Sequence, residues 1–207
     1  MPLFYQQNIN ACTRLAAWKI EEEEAFFLST VPLQRNITHP HKRLQHLAGR
    51  HLLRYLFADF PYEEILIADT RKPFLPDERY HFSISHCGDY AAAIVSSAQR
   101  VGIDIEQLTP RVHRIKHKFL HADELMHAAT YHEDRQTSLL TLLWSAKEAL
   151  FKWWGRGEVD FSEDLRLESF DFKNSGVIPA EIKKEMTVEL AVRYEMFEGL
   201  SLAWISH

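Results

Sequence analysis

The stretch FSISHCGDYAAAIVSSAQRVGIDIE, residues 82–106, predicts the centre of a small β-sheet. Residues 80–84, 90–95 and 101–106 are short, apolar and separated by polar turns, which is the pattern of strands. The first two are joined through Gly88 and Asp89 and are predicted to form a hairpin. The polar segment SSAQR, residues 96–100, interrupts the last two strands and divides the chain almost equally. We therefore expect two halves, residues 1–99 and 100–207.

Helices are predicted on both sides of these strands. Residues 41–57 have an apolar stripe at helical spacing, formed by Leu44, Ala48, Leu52 and Tyr55. Further helices are expected at residues 112–120, 123–131 and 136–154, the last ended by Gly155. More strands are predicted at residues 65–68, at 185–192 and in the alternation of Leu200, Leu202 and Trp204. The fold class is therefore α/β of the α+β kind, with helices packed on a small sheet in each half.

Composition favours a soluble globular protein. The chain has 207 residues, of which 46% are hydrophobic and 26% charged. Its start lacks a basic region followed by an apolar run, and nowhere do 18 uncharged apolar residues follow one another, so we expect neither export nor a membrane span. Two cysteines without metal-type spacing fit a reducing cytoplasm. The net charge of −5 gives no reason to expect nucleic-acid binding.

Two basic segments stand out in this acidic chain. Residues 34–56 contain no acid and five basic residues, Arg35, Lys42, Arg43, Arg50 and Arg54. On a helical projection the last three fall within roughly 40° of one another and form a predicted basic ridge. Residues 107–121 contain four more basic residues and again no acid: Arg111, Arg114, Lys116 and Lys118. Such runs are usually solvated faces, yet together they suggest anionic partners.

The motif VGIDIE places two carboxylates side by side. A strand points Asp104 and Glu106 to one face while Ile103 and Ile105 face the core. Mg²⁺ favours such a small set of oxygen ligands together with substrate phosphates, and it would relieve the repulsion between the acids. The alternative is a half-buried strand that ends in solvated acids.

A third carboxylate lies in WSAKEALFK, residues 144–152. The buried stripe of this predicted helix is formed by Leu139, Leu143, Ala146 and Leu150. Glu148 and Lys152 lie on the opposite side, where Glu148 would complete a metal site and Lys152 would neutralise a phosphate or take part in proton transfer. The same spacing is typical of a surface pair that steadies a helix, and periodicity does not choose between the two interpretations.

Polar residues at the hairpin and just before it complete the set. Ser85 and His86 lie at the rim of the hairpin, where a hydroxyl and an imidazole are able to donate to phosphate oxygens. Lys72 precedes Pro73 on an extended segment that otherwise reads as a surface loop. Cys87 beside His86 suggests a thiol nucleophile only weakly, because no Asp or Asn partner is evident.

The order and spacing of these motifs resemble the 4′-phosphopantetheinyl transferases of the Sfp (surfactin-activating) type. The resemblance covers about residues 42–152 and consists of HLAGRHLLR (46–54), KPFLPD (72–77), FSISHCGDY (82–90), VGIDIE (101–106), FLHADEL (119–125) and WSAKEALFK (144–152). It implies magnesium-dependent transfer of the phosphopantetheine arm of coenzyme A, the co-substrate, to a serine of an apo acyl or peptidyl carrier protein, releasing adenosine 3′,5′-bisphosphate. It also implies two similar halves related by pseudo-twofold symmetry, with the ligand cleft between them. Two halves in one chain would let a monomer form a complete cleft.

The resemblance also assigns roles to individual residues. Asp104, Glu106 and Glu148 match the family's magnesium positions, and Glu148 is in addition the favoured base towards the carrier serine. Lys152 matches the lysine that contacts the phosphates. Residues that border the nucleotide are matched by Lys72, Pro73, Ser85 and His86.

One departure from the family concerns the 3′-phosphate. Where surfactin-type proteins place a lysine pair before the first long helix, this chain has VPLQRNITHPHKR, residues 31–43. Arg35, His39, Lys42 and Arg43 are alternative substitutes, and from the basic ridge we predict Arg43 and Arg50 as ligands, since arginine presents paired donors to phosphate oxygens.

Two other functions compete with transfer. A magnesium-dependent phosphohydrolase acting on nucleotides would use the same carboxylates and lysine, but it does not explain the ordered flanking motifs. A non-catalytic module that binds coenzyme A or a carrier protein would have less need of a base such as Glu148.

Overall fold

The chain divides into two compact units, one running to Ile103 and the other from Asp104 to Ile205. The computed structural model describes residues 2–33 and 36–207. Arg35, one of the predicted alternatives for the 3′-phosphate, lies outside the described residues. The predicted division into two halves, between residues 99 and 100, stays a prediction.

The first unit is built on a four-stranded antiparallel sheet in the order β1-β2-β6-β5. A separate two-stranded ribbon is formed by β3 and β4. The strands are β1 (Leu3–Asn8), β2 (Thr13–Lys19), β3 (Leu66–Ile67), β4 (Pro73–Phe74), β5 (His81–Cys87) and β6 (Tyr90–Ser96). The helices are α1 (Glu24–Leu28), α2 (Pro40–Leu56) and a short 3₁₀ turn, Tyr62–Glu64. The predicted hairpin is confirmed, with Cys87 opposite Tyr90 across the turn.

Helix α2 packs on this sheet with a face wider than the predicted stripe. Pro40 stands in its first turn, where its missing N–H costs nothing, and His39 caps it by accepting from the Lys42 backbone N–H. Leu47, Leu53 and Leu56 are buried along with Ala48 and Leu52. Two sequence predictions are wrong as a result. Tyr55 is 41% exposed, and Arg50, expected on the basic ridge, is only 7% exposed.

The second unit is built on a five-stranded sheet in the order β7-β11-β10-β9-β8. Its strands are β7 (Val101–Gln107), which crosses the boundary between the units, β8 (Leu165–Leu167), β9 (Ser175–Lys183), β10 (Thr187–Phe197) and β11 (Leu200–Ser206). Its helices are α3 (Val112–Ile115), a 3₁₀ turn Lys116–Lys118, α4 (Ala122–Ala129) and α5 (Glu133–Trp154). The segment predicted as one helix at residues 112–120 is thus a short helix followed by the 3₁₀ turn.

Helix α5 packs on the second sheet along β8 and β10. All four residues of its predicted stripe are buried, Leu139, Leu143, Ala146 and Leu150. Gly155 ends the helix in the left-handed region at φ 69°, where a side chain would be strained. Among residues 2–33 and 36–207, no helix has the length and apolar character needed to cross a membrane.

The α+β class predicted from the sequence is confirmed, because each unit combines helices with a largely antiparallel sheet. The sequence did not predict α1, the five strands β1, β2, β4, β8 and β9, or the C-terminal part of β10. The pseudo-twofold relation between the halves, and the cleft between them, stay predictions.

We expect Gly49→Ala to destabilise the protein, although alanine normally favours a helix interior over glycine. A Cβ at Gly49 of α2 would lie 2.6 Å from Cγ2 of Ile84 on β5, closer than packed carbon atoms approach. Urea unfolding should show a loss of about 1–3 kcal/mol, as for other overpacked cores. Because Ile84→Ala removes the clashing methyl group, Gly49→Ala should cost less in that background. A stabilising Gly49→Ala would contradict the close approach of α2 and β5.

Candidate active site

Strand β7 places the first two carboxylates. Ile103 and Ile105 are fully buried, which confirms the predicted alternation along VGIDIE. Asp104 is itself only 3% exposed, whereas Glu106 is half-buried. The strand therefore does not end in freely solvated acids, because its first acid is enclosed by protein.

Helix α5 brings a cation and a third carboxylate to this strand. Lys152 Nζ donates to Asp104 Oδ1 at 2.7 Å across 48 residues of sequence. Glu148, one turn before Lys152, is half-buried. Lys152 is thus engaged with the strand carboxylate, which distinguishes it from a solvated surface partner of Glu148.

Trp144 adds a contact that the sequence analysis did not assign. Its indole Nε1–H donates to Glu106 Oε1 at 3.4 Å, and its ring lies 5.0 Å from the ring of Phe119 and 5.8 Å from that of Phe161. The aromatic packing holds the indole against the strand. Trp144 opens the WSAKEALFK motif one turn before Glu148, and this spacing is the signal that would have placed it beside the other site residues.

Dehydration and mutual repulsion shape the protonation of these acids. Burial, and then the charge of Asp104, raise the pKa of Glu106 to about 7. Burial raises the pKa of Glu148 to about 7, again with Asp104 adding to the shift, while Lys152 opposes it. Two glutamates near Asp104 therefore change charge close to neutral pH, and a further cation would favour their ionised forms.

The chemistry of this donor set fits a hard divalent cation, although the geometry is not that of a closed metal cage. Within the part of the chain that the structure describes, no three His, Cys, Asp or Glu side chains are arranged as a metal-binding group. Mg²⁺ is commonly held by one or two carboxylates, retained waters and substrate phosphates rather than by an all-protein cage. Asp104, Glu106 and Glu148 offer oxygen ligands whose mutual repulsion such a cation would relieve.

The first unit carries the residues predicted to border a nucleotide. Ser85 is buried on β5 and the next residue, His86, is exposed. Lys72 directly precedes β4, which begins at Pro73. Burial, and then the charge of Arg100, lower the pKa of Lys72 to about 8. An anion bound there would favour the charged ammonium.

The two arginines predicted for the 3′-phosphate lie in different environments. Arg43 forms an ion pair with Glu24 of α1, with Nη2 at 2.7 Å from Oε2. The guanidinium carbon of Arg50 lies 6.0 Å from the ring centre of Tyr62 within the first unit. Arg54, the third member of the basic ridge, is 2.6 Å from Glu63. The ridge predicted from helical projection is therefore not a continuous exposed cationic surface.

Two family models match the chain over the ranges that contain these residues. Residues 33–96 match the 4′-phosphopantetheinyl transferase N-terminal domain, and residues 100–198 match the 4′-phosphopantetheinyl transferase superfamily. The second match contains Asp104, Glu106, Glu148 and Lys152. The chain belongs to the 4′-phosphopantetheinyl transferase superfamily.

Curated members of this superfamily resemble the chain over about half of its length. It is 35% identical over 111 residues to the 4′-phosphopantetheinyl transferase psf-1 of Bacillus pumilus, covering 52% of this chain and 47% of the relative. It is 31% identical over 135 residues to the 4′-phosphopantetheinyl transferase Sfp of Bacillus subtilis, covering 64% and 58%. The corresponding values for enterobactin synthase component D of Escherichia coli are 35% over 117 residues, 54% and 54%. The chain thus spans about half the length of the curated relatives it matches.

We expect Glu148→Gln to stabilise this superfamily member increasingly as the pH rises. In the folded protein the pKa of Glu148 is raised, so its contribution to stability is lost as the pH rises from about 4.5 through about 7. Glutamine does not titrate and avoids that loss. Urea unfolding in metal-free buffer at pH 5 and pH 8 should give a larger difference between variant and wild type at pH 8. A difference that is independent of pH would contradict the raised pKa.

Proposed function

We propose that this protein transfers the 4′-phosphopantetheine arm of coenzyme A to a serine of an apo carrier protein. The observation that carries the proposal is the contact of Lys152 with Asp104 beside two partly dehydrated glutamates, Glu106 and Glu148. Membership of the superfamily supplies the reaction class. With a metal ion bound, these carboxylates and Lys152 would be able to bind the pyrophosphate of coenzyme A.

We propose Asp104, Glu106 and Glu148 as the residues that would hold Mg²⁺. The bound ion would neutralise charge on the pyrophosphate oxygens during displacement at phosphorus. Without such a cation the three acids would repel an anionic substrate. Lys152 contributes a second positive charge from the protein itself, and it is placed to exchange Asp104 for a phosphate oxygen.

We propose that Glu148 accepts the proton of the carrier serine hydroxyl. The serine oxygen forms a bond to the phosphorus next to the pantetheine arm, the bond from that phosphorus to the bridging oxygen breaks, and adenosine 3′,5′-bisphosphate leaves. An ammonium group only donates hydrogen bonds, so Lys152 in its ion pair does not accept the proton. Burial and Asp104 raise the pKa of Glu148 to about 7 in the metal-free protein, and a bound Mg²⁺ would lower it, which would keep the carboxylate ionised and able to accept a proton.

For the nucleotide we propose Lys72, Pro73, Ser85 and His86. Their support is the match of residues 33–96 to the family's N-terminal domain, together with the lowered pKa of Lys72, which an anion would reverse. Arg43 and Arg50 stay predictions for the 3′-phosphate. Arg43 binds a phosphate only after leaving Glu24, and Arg50 only if its surroundings in the first unit open.

For the carrier protein we propose a docking segment at residues 111–121. Arg111, Arg114 and Lys118 are exposed there, and they form no ion pair with the residues that the structure describes. Acidic faces are typical of carrier proteins, and complementary charge speeds association and orients the partner. Among the described residues neither Cys12 nor Cys87 forms a disulfide, which agrees with the cytoplasmic location that we propose.

The transfer is tested by mixing the protein with coenzyme A, Mg²⁺ and several apo carrier proteins. Intact-mass spectrometry should show one or more carriers gaining the phosphopantetheine arm, with adenosine 3′,5′-bisphosphate released in equal amount. Hydrolysed nucleotide with unmodified carriers would instead identify a phosphohydrolase. Tight binding of coenzyme A without turnover would identify a binding module.

Asp104→Ala should reduce transfer below detection, because it removes both a proposed metal ligand and the partner of Lys152. The control is Asp134→Ala, which removes an exposed acid of the same unit that pairs with His132 at the surface. Circular dichroism should show both variants folded. Normal activity in Asp104→Ala would remove this residue from the site.

Reversing two charges of the docking segment, as Arg114→Glu with Lys118→Glu, should raise the KM for the carrier about tenfold, because repulsion replaces attraction. The KM for coenzyme A should not change. Lys173→Glu with Arg193→Glu, two exposed positions elsewhere in the second unit, is the matched control. An unchanged carrier KM and unchanged salt dependence in the first variant would exclude this segment as the docking surface.

A further inference from the structure

Lys147, the neighbour of Glu148 on α5, is completely buried with its charged end fully bonded. Its Nζ lies 2.6 Å from Glu124 Oε2 and donates to the backbone carbonyls of Phe119 and Phe161, both at 2.7 Å. The side chain of Lys147 has no exposed surface. An ammonium has three protons, and this environment provides one acceptor for each.

Both carboxylate oxygens of Glu124 also accept hydrogen bonds from other elements of the second unit. Its Oε2 accepts from the His121 backbone N–H at 2.8 Å, which closes a capping box at the start of α4. Its Oε1 accepts from the backbone N–H of Leu167 in β8, also at 2.8 Å. The ion pair therefore ties α5 at the level of Glu148 to the start of α4 and to β8.

A pair of this kind is poorly explained by stability alone. Removing two charges from water costs free energy that their attraction often only just recovers, and apolar side chains of similar size frequently stabilise a fold as well or better. What the ion pair fixes is the orientation of α5. Three donors and several acceptors are satisfied together only when α5 has one rotation about its axis and one depth against its neighbours.

The rotation of α5 matters because the residues close to Lys147 on this helix belong to the candidate site. Residues 147 and 148 point about 100° apart on a helix, so Lys147 faces inward when Glu148 faces the strand carboxylates. Lys152 and Trp144, one turn away on either side of Glu148, contact Asp104 and Glu106 from the same helix. A small turn of α5 would displace all three side chains together.

We infer that Glu124 and Lys147 are positioning residues that orient α5 so that Glu148, Lys152 and Trp144 meet Asp104 and Glu106. The expected effect on catalysis rests on the proposed transfer reaction. The expected effect on the orientation of α5 does not, because the contact of Trp144 with Glu106 reports that orientation directly.

The structural test follows the indole N–H of Trp144 by NMR, with its resonance assigned through Trp144→Phe. Lys147→Met should shift this resonance and speed amide exchange in the last three turns of α5. The matched control is Ile178→Ala, a buried truncation on β9 of the same unit that also lowers stability. It should leave the Trp144 resonance in place. An unmoved resonance in folded Lys147→Met would overturn the inference.

Two milder variants keep the test decisive if Lys147→Met does not fold. Glu124→Gln retains an oxygen that accepts from Leu167 and leaves Lys147 its two carbonyl partners. Glu124→Gln with Lys147→Met removes both charges together, which avoids a single unpaired charge in the interior. Either variant should move the Trp144 resonance, and a folded variant in which it does not move counts against the inference.

The catalytic test compares turnover in the same variants below their melting temperatures. Misplacement of the site should lower kcat about 100-fold while the KM for coenzyme A is unchanged. Ile178→Ala should keep the wild-type kcat. Full activity in the folded double variant would show the pair to be merely structural. If wild-type protein transfers nothing, the proposed function fails, while the Trp144 resonance still decides the positioning role.

Discussion

The crowding of three carboxylates around one ammonium is the constraint on which the site depends. Asp104 is enclosed by protein and bonded to Lys152, and the nearby Glu106 and Glu148 have pKa values raised to about 7 by burial and by the charge of Asp104. Acids in such surroundings are stable only when protonated or when cations lie beside them. The arrangement is therefore suited to an additional divalent cation. The contacts of Lys152 with Asp104 and of Trp144 with Glu106 join the strand to the helix.

Helix α5 contributes one lysine to this group of charges and buries another lysine against the rest of the second unit. Lys152 pairs with Asp104 on the edge strand β7, whereas Lys147 is completely buried and its ammonium has three hydrogen-bond acceptors. The two lysines have opposite requirements. In the proposed reaction Lys152 exchanges its carboxylate partner for a phosphate, whereas Lys147 keeps its partners and holds the orientation of α5. A glycine in the left-handed region, Gly155, ends the helix directly after these turns.

Much of the fold was predictable because burial follows periodicity. The alternation of Ile103 and Ile105 and the stripe along α5 were read correctly from the sequence, as was the hairpin of β5 and β6. The strands that were missed have other patterns: β2 is buried on both faces and contains two alanines, and β8 has only three residues. Arg50 was misplaced because α2 buries a wider face than its leucine stripe indicates.

Motifs named the residues that the structure brings together around Asp104, but they did not predict the contacts between those residues. Asp104, Glu106, Glu148 and Lys152 were all named from motifs, yet the bond between Asp104 and Lys152 joins residues 48 positions apart, which no local spacing reveals. Trp144 and Lys147 were passed over because an aromatic residue and a lysine in a helix are ordinary, and only the fold shows what each one contacts.

The most direct test is anomalous diffraction from crystals grown with coenzyme A and Mn²⁺. Our account predicts one Mn²⁺ peak bonded to oxygens of Asp104, Glu106 and Glu148 and to the pyrophosphate, with Lys152 on a phosphate oxygen. A peak at other residues, or coenzyme A bound with no metal near these carboxylates, would contradict it.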